Sequence, residues 1–149
     1  MKLLLGFVCV ILGIIFGYFF SERYSKRKDF LSDLLFFNQR LLKEVSYTQN
    51  SIYTLFDGQT DFYIAIKDYF DSKNFSKIKY LYEDENIFVE NYFKNIGNMD
   101  KYSQLAFLNN SQKEIESMTD KATKENKKFQ DLYIKLGFLI GLIILVVLL

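Results

Sequence analysis

The sequence predicts an all-α protein in which two transmembrane helices flank a cytoplasmic helical-bundle domain. Three observations carry this. The 149-residue chain contains no proline and only 7 glycines, so helix breakers are scarce. Both ends, Leu3 to Phe20 and Leu136 to Leu149, are uncharged and apolar, while the middle holds nearly all the charge. The middle repeats apolar residues at helical rather than strand spacing. Residues 1–20 are read as the first membrane helix, 21–133 as the cytoplasmic domain with a polar membrane-proximal stalk, and 134–149 as the second membrane helix.

The first apolar run spans about 27 Å as a helix, close to the hydrocarbon thickness of a bilayer. A cleaved signal peptide is the rival. Tyr18, Phe19, Phe20 and Ser21 stand where a small-x-small cleavage pattern belongs, which favours an uncleaved anchor. The run from Leu136 is shorter, about 21 Å, and a buried core helix competes on length. Leu142 through Leu149 offer no polar face, however, and Lys135 can snorkel to lengthen the span.

Flanking cations set the orientation. Arg23, Lys26, Arg27 and Lys28 follow the first run; Lys121, Lys124, Lys127, Lys128 and Lys135 approach the second. Both flanks place the middle of the chain in the cytoplasm, with these cations reading topology and anionic headgroups. Each run also carries a small-xxx-small pair, Gly13 with Gly17 and Gly137 with Gly141. Counted from the cytoplasmic ends, Gly17 and Gly137 lie at one depth and Gly13 and Gly141 one turn deeper. An antiparallel helix pair would match them level by level. Self-association of chains through the same faces is the alternative, and chance spacing is the plain one.

Within the middle, Phe30, Leu34, Phe37, Leu41 and Val45 form one stripe, widened by Leu31, Leu35 and Leu42. This first helix is expected to run to about Phe56. Phe62, Ile66, Tyr69 and Phe70 give a second, ended by a turn over 71–74. Phe75, Ile78, Leu81 and Tyr82 then resume helical spacing. A further face, Ile87, Phe88, Tyr92, Phe93 and Ile96, is expected to open at an Asp84 cap. The last stretch begins after Gly97, capped by Asn98 or Asp100, and continues through Leu105, Leu108, Ile115, Met118 and Ala122 toward the apolar tail. The polar runs 21–29 and 119–128 read as a two-helix stalk lifting the domain about 13 to 15 Å, or as segments lying in the headgroup layer.

Several function classes are excluded from the expectation. A net charge of +1, with lysines interleaved among acids, gives no field for nucleic acid. Histidine is absent and Cys9 is the single cysteine, inside the first apolar run, so no disulfide, metal site or ordinary general base is expected. No phosphate-cradling glycine loop occurs. No catalytic residue, cofactor or metal is assigned, and the chain is read as a non-enzyme. Neither apolar run holds an acidic or basic residue that would mark an ion path.

Two groups of residues resemble a known family. A helix closing on Glu44-Val45-Ser46-Tyr47 is the first. The second is Ile96, Gly97, Asp100, Gln104 and Leu108, followed by Leu136, Gly137, Gly141 and an aliphatic tail. Together the order and spacing resemble stage III sporulation protein AB. The chain departs from the family at Thr48, Gln49 and Asn50, where Gly-Pro-like residues are usual, and at Phe93, where a glycine is usual. Its Lys-, Asn-, Ile- and Phe-rich usage suits an AT-rich genome, as in many spore-forming Firmicutes.

The resemblance implies a multi-pass cell-membrane protein of the complex linking mother cell and forespore, with its soluble domain on the mother-cell side. The domain would be similar to the cytoplasmic F-type domain of type II secretion platforms. The implied partners are a cytoplasmic secretion-type ATPase, similar to stage III sporulation protein AA, and the other subunits of the channel complex. Tyr47, Gly97, Asp100 and Gln104 are read as structural: a positive-φ turn at Gly97, a cap at Asp100, and support from Gln104. Docking of the ATPase is assigned to turns far from the bilayer, around Gly58, Asn74 and the acidic Glu83, Asp84 and Glu85. Two other readings remain: a platform subunit of a pilus or type II-like secretion system, and a membrane-tethered signalling subunit.

Overall fold

The computed structural model describes residues 2–47 and 58–148, and among them the only regular elements are helices. They are α1 (Lys2–Tyr47), α2 (Asp61–Ser72), α3 (Glu83–Asn95) and α4 (Lys101–Leu148). The sequence reading of a helix to Phe56, the loop after Tyr47, and the side chains of Cys9 and Tyr47 all fall outside the residues described. The chain divides into two compact units, one of residues 1–28 with 122–149 and one of residues 29–121.

The larger unit is built on aromatic side chains. Of the stripe expected on α1, Phe30, Leu31, Leu34, Phe37 and Leu41 are withdrawn from solvent, while Leu35, Leu42 and Val45 are half-buried. Phe62 of α2 is the hub. Its ring lies 5.4 Å from those of Phe30 and Phe37 and 6.1 Å from Phe93 of α3. Phe93 in turn meets Tyr69 at 5.7 Å and Phe75 at 6.0 Å, so the bulky residue at this position fills space rather than disrupting it. Edge-on and tilted ring contacts of this kind add to what burial of apolar area already contributes.

The helix expected over Phe75 to Tyr82 does not form. α2 ends at Ser72, and Lys73 takes the left-handed conformation (φ 59°), its N–H reaching the Tyr69 carbonyl. The cause of the non-helical course beyond it is Asn86. The buried side chain of Asn86 accepts from the Ile78 N–H at 2.8 Å and donates to the carbonyls of Ile78, Leu81 and Tyr82. One amide thus supplies the backbone partners that a helical turn would have supplied.

The start of α3 also differs from expectation. Asp84 lies inside the first turn, and the cap position belongs to Tyr82. Glu85 reaches back, its carboxylate accepting from the Tyr82 N–H at 3.0 Å. The buried face of α3 is Val89, Tyr92 and Phe93, with Ile96 beyond it, whereas Ile87 is 54% exposed.

A polar network crosses this apolar core. Asn38, fully buried on α1, donates to the Leu108 carbonyl at 3.2 Å and to Gln112 Oε1 at 2.7 Å. The Tyr92 hydroxyl donates to Asn38 Oδ1 at 2.8 Å. α1, α3 and α4 are thereby pinned in one register, because a half-satisfied buried network would cost more than an apolar one.

The smaller unit contains the apolar stretches of α1 and α4, running antiparallel. Its large side chains, among them Ile11, Phe16, Phe19, Leu139, Ile140 and Val146, face outward. α4 is long and apolar enough to cross a membrane, and little of its apolar window is buried.

Candidate functional site

The contact between the two chain ends is made by glycine. A Cβ built on Gly13 would collide with the carbonyl oxygen of Gly137, and one on Gly137 with the carbonyl oxygen of Gly13. A Cβ on Gly13 would also stand 3.6 Å from the Gly141 amide nitrogen, and a Cβ on Gly17 would strike the Tyr133 carbonyl. Backbone meets backbone here within one chain, as in close-packed membrane helix pairs.

The register is one turn away from the sequence expectation, which set Gly17 against Gly137 and Gly13 against Gly141. Tyr24 stacks on Phe129 with ring centroids 4.3 Å apart, and the Arg27 guanidinium bonds Glu125 Oε2 at 2.6 Å. Phe20 stacks against Tyr133 with ring centroids 6.2 Å apart.

The basic residues divide accordingly. Arg27 is 3% exposed and paired, so it is an internal tie rather than a headgroup contact. Removing Glu125 would strand the desolvated guanidinium of Arg27. Lys26 pairs with Glu22 at 2.9 Å on the surface. Arg23, Lys127, Lys128 and Lys135 are exposed and Lys28 is half-buried.

In the larger unit, the residues of the second motif form one junction. Gly97 sits at φ 79°, a conformation glycine adopts without a Cβ penalty. Its N–H donates to Gln104 Oε1 at 3.1 Å. Asp100 Oδ1 accepts from the amides of Tyr102 and Ser103 at 3.0 and 3.1 Å, and Oδ2 from the Ser103 hydroxyl at 2.5 Å. The Ser103 hydroxyl, then its amide, hold the Asp100 carboxyl below the usual carboxylate range. Asn98, the other candidate cap, instead donates to the Lys94 carbonyl at the end of α3.

The acidic turn is not a uniform surface. Glu85 is buried and spent on the cap of α3, which corrects its assignment to partner docking. Glu83 is paired with Lys77, and Asp84 is exposed. Gly58 and Asn74 lie at the surface or near it.

A groove of about 250 Å³ opens beside Asn74, between one face of α2 and the 74–78 segment. Asp61, Ile64, Ala65 and Asp68 line it from α2; Asn74, Ser76, Lys77 and Ile78 line it from the other side. Tyr80 donates its hydroxyl to Asp61 Oδ2 at 2.9 Å. Burial, and then Asp61 itself, push the Tyr80 phenol well above its ordinary pKa, so it stays a donor. Sequence reading missed this groove because it required Asn86 to hold the segment out of a helix. Among the described residues, no three metal-ligating side chains come together.

The family profile described as stage III sporulation protein AB matches residues 55–149, which include the Gly97 junction, all of α4 and the second glycine pair. The chain belongs to the stage III sporulation protein AB family. The matched region begins after Tyr47, so the first motif lies outside it. No curated protein and no solved structure matches the chain.

Proposed function

We propose that this chain is a non-enzymatic, two-span membrane platform of the sporulation channel complex between mother cell and forespore. Its cytoplasmic domain docks a secretion-type ATPase similar to stage III sporulation protein AA. The observation that carries this is the continuity of α4. One helix runs from the Gly97 junction, through residues packed in an aromatic-cored domain, into an outward-facing apolar stretch long enough for a bilayer. The family membership supplies the sporulation setting.

The first span rests on the charge-free run ending at Phe20 and on its glycine contact with α4. A helix that meets a membrane-crossing partner backbone to backbone, and turns Ile11, Phe16 and Phe19 outward, fits lipid better than water. The exposed cations at Arg23, Lys127, Lys128 and Lys135 favour a cytoplasmic domain. The likeness to an F-type secretion domain belongs to the same proposal, and so does the absence of catalysis.

The test is direct binding. The full-length protein in lipid nanodiscs is titrated with the purified secretion-type ATPase encoded nearest to it. Saturable binding that vanishes with empty nanodiscs is expected; no binding by a protein that melts cooperatively would refute the adaptor role.

A further inference from the structure

We propose that the groove between α2 and the 74–78 segment receives an arginine side chain of the docked ATPase. This rests on the adaptor reading above and names the contact by which docking occurs. At about 250 Å³ the groove falls below the usual range for small-molecule sites, roughly 300–1,000 Å³, and suits one long side chain.

Its chemistry is that of an arginine receptor. Asp61, Ile64, Ala65 and Asp68 follow one another at i, i+3, i+4 and i+7, so they share one face of α2. Aliphatic residues therefore form the floor between two carboxylates about 10 Å apart along the axis. Ile64 is 51% exposed, and Ile78 faces the same space from the opposite wall. An arginine stem can lie on this floor while its planar head meets a carboxylate with two parallel hydrogen bonds.

The charges are disposed for it. Asp68 is exposed and its carboxylate makes no ion pair among the described residues. Asp61 is partly engaged by the Tyr80 hydroxyl, which orients it without neutralising it. Lys77, the one cation on the wall, is already paired with Glu83. The wall is preformed at its Ile78 end, where Asn86 holds both the N–H and the carbonyl of Ile78. A receptor ordered in advance loses little entropy on binding.

Binding of the same ATPase to nanodisc-held full-length variants tests the groove. Asp68→Lys is expected to weaken binding about tenfold or more, and Ile64→Ala a few-fold. Glu114→Lys, an equal charge reversal on the exposed face of α4, is expected to leave it unchanged. Rising salt should weaken the wild type more than Asp68→Lys. Thermal melts matching the wild type confirm that each variant is folded, which both surface positions permit. If the wild type binds and Asp68→Lys binds as well as Glu114→Lys, the groove is not the contact, although the adaptor role stands. Loss of self-association in Asp68→Lys, with ATPase binding retained, would assign the groove to a second copy of this chain and overturn the proposal. No binding by the wild type removes the adaptor role and the arginine together.

Discussion

The two units of this chain solve the same packing problem with opposite materials. The larger fills its interior with rings: Phe30, Phe37, Phe62 and Phe93 meet at centroid distances near those of favourable aromatic pairs. The smaller removes side chains altogether, so that the backbones at Gly13 and Gly137 touch. In water, burying a phenylalanine is favourable. In a bilayer the alternative to a helix contact is a lipid tail of equal apolarity, and close backbone approach becomes the available gain. Under the proposed two-span reading, packing style follows the solvent each unit is built for.

The largest effect is expected at the aromatic hub. Phe62→Ala should cost about 3–5 kcal/mol and lower the melting temperature of the domain, read by near-ultraviolet circular dichroism in nanodiscs. The helix pair of the chain ends should stay together in that variant, judged by the stacking-sensitive fluorescence of Tyr24 and Tyr133.

Gly13→Val should do the reverse. Its added atoms meet the carbonyl of Gly137 rather than a flexible side chain, so the helices must part, at about 1–3 kcal/mol or more. Cross-linking between cysteines placed at Phe20 and Tyr133 should fall sharply, while the melting of the aromatic core changes little. Equal damage to both units from either variant would break the contrast.

Asn38→Ala comes next. It leaves the Tyr92 hydroxyl buried without its acceptor, at about 1–3 kcal/mol. Adding Tyr92→Phe should cost less than the two single losses together, because the stranded hydroxyl is then gone. Burial already pushes the Tyr92 phenol above its ordinary range, so it donates throughout the accessible pH range.

The smallest effect is at Asp100. Its carboxyl is held below the ordinary range in the folded chain, so the stability it contributes is present above the unfolded pKa. That contribution is lost as pH falls through the folded value. Acidification should therefore lower the wild-type melting temperature by a small step that Asp100→Ala lacks.

Much of this was legible in the sequence because it is local. The α1 stripe, the glycine turn at Gly97 and the Asp100 cap each depend on residues within a turn or two. What escaped depends on partners distant in sequence or on one side chain overriding propensity. Arg27 reads as a surface cation until Glu125 meets it from 98 residues away. Asn38 reads as a polar interruption of a stripe until Tyr92 and Gln112 reach it. Phe75 to Tyr82 has helical spacing, but Asn86 binds the backbone of Ile78, Leu81 and Tyr82 in a non-helical course. The glycine pairs were visible, but not that Gly13 would meet Gly137.

The sidedness of the chain tests the central claim most directly. With Cys9 replaced by serine and one cysteine placed at Tyr102, which is 84% exposed, cells expressing the full chain are treated with a membrane-impermeant maleimide. A domain held in the cytoplasm by membrane helices should be labelled only after permeabilisation, and should remain with the membrane fraction in alkaline carbonate. Labelling in intact cells, or release of the chain by carbonate, would contradict the platform.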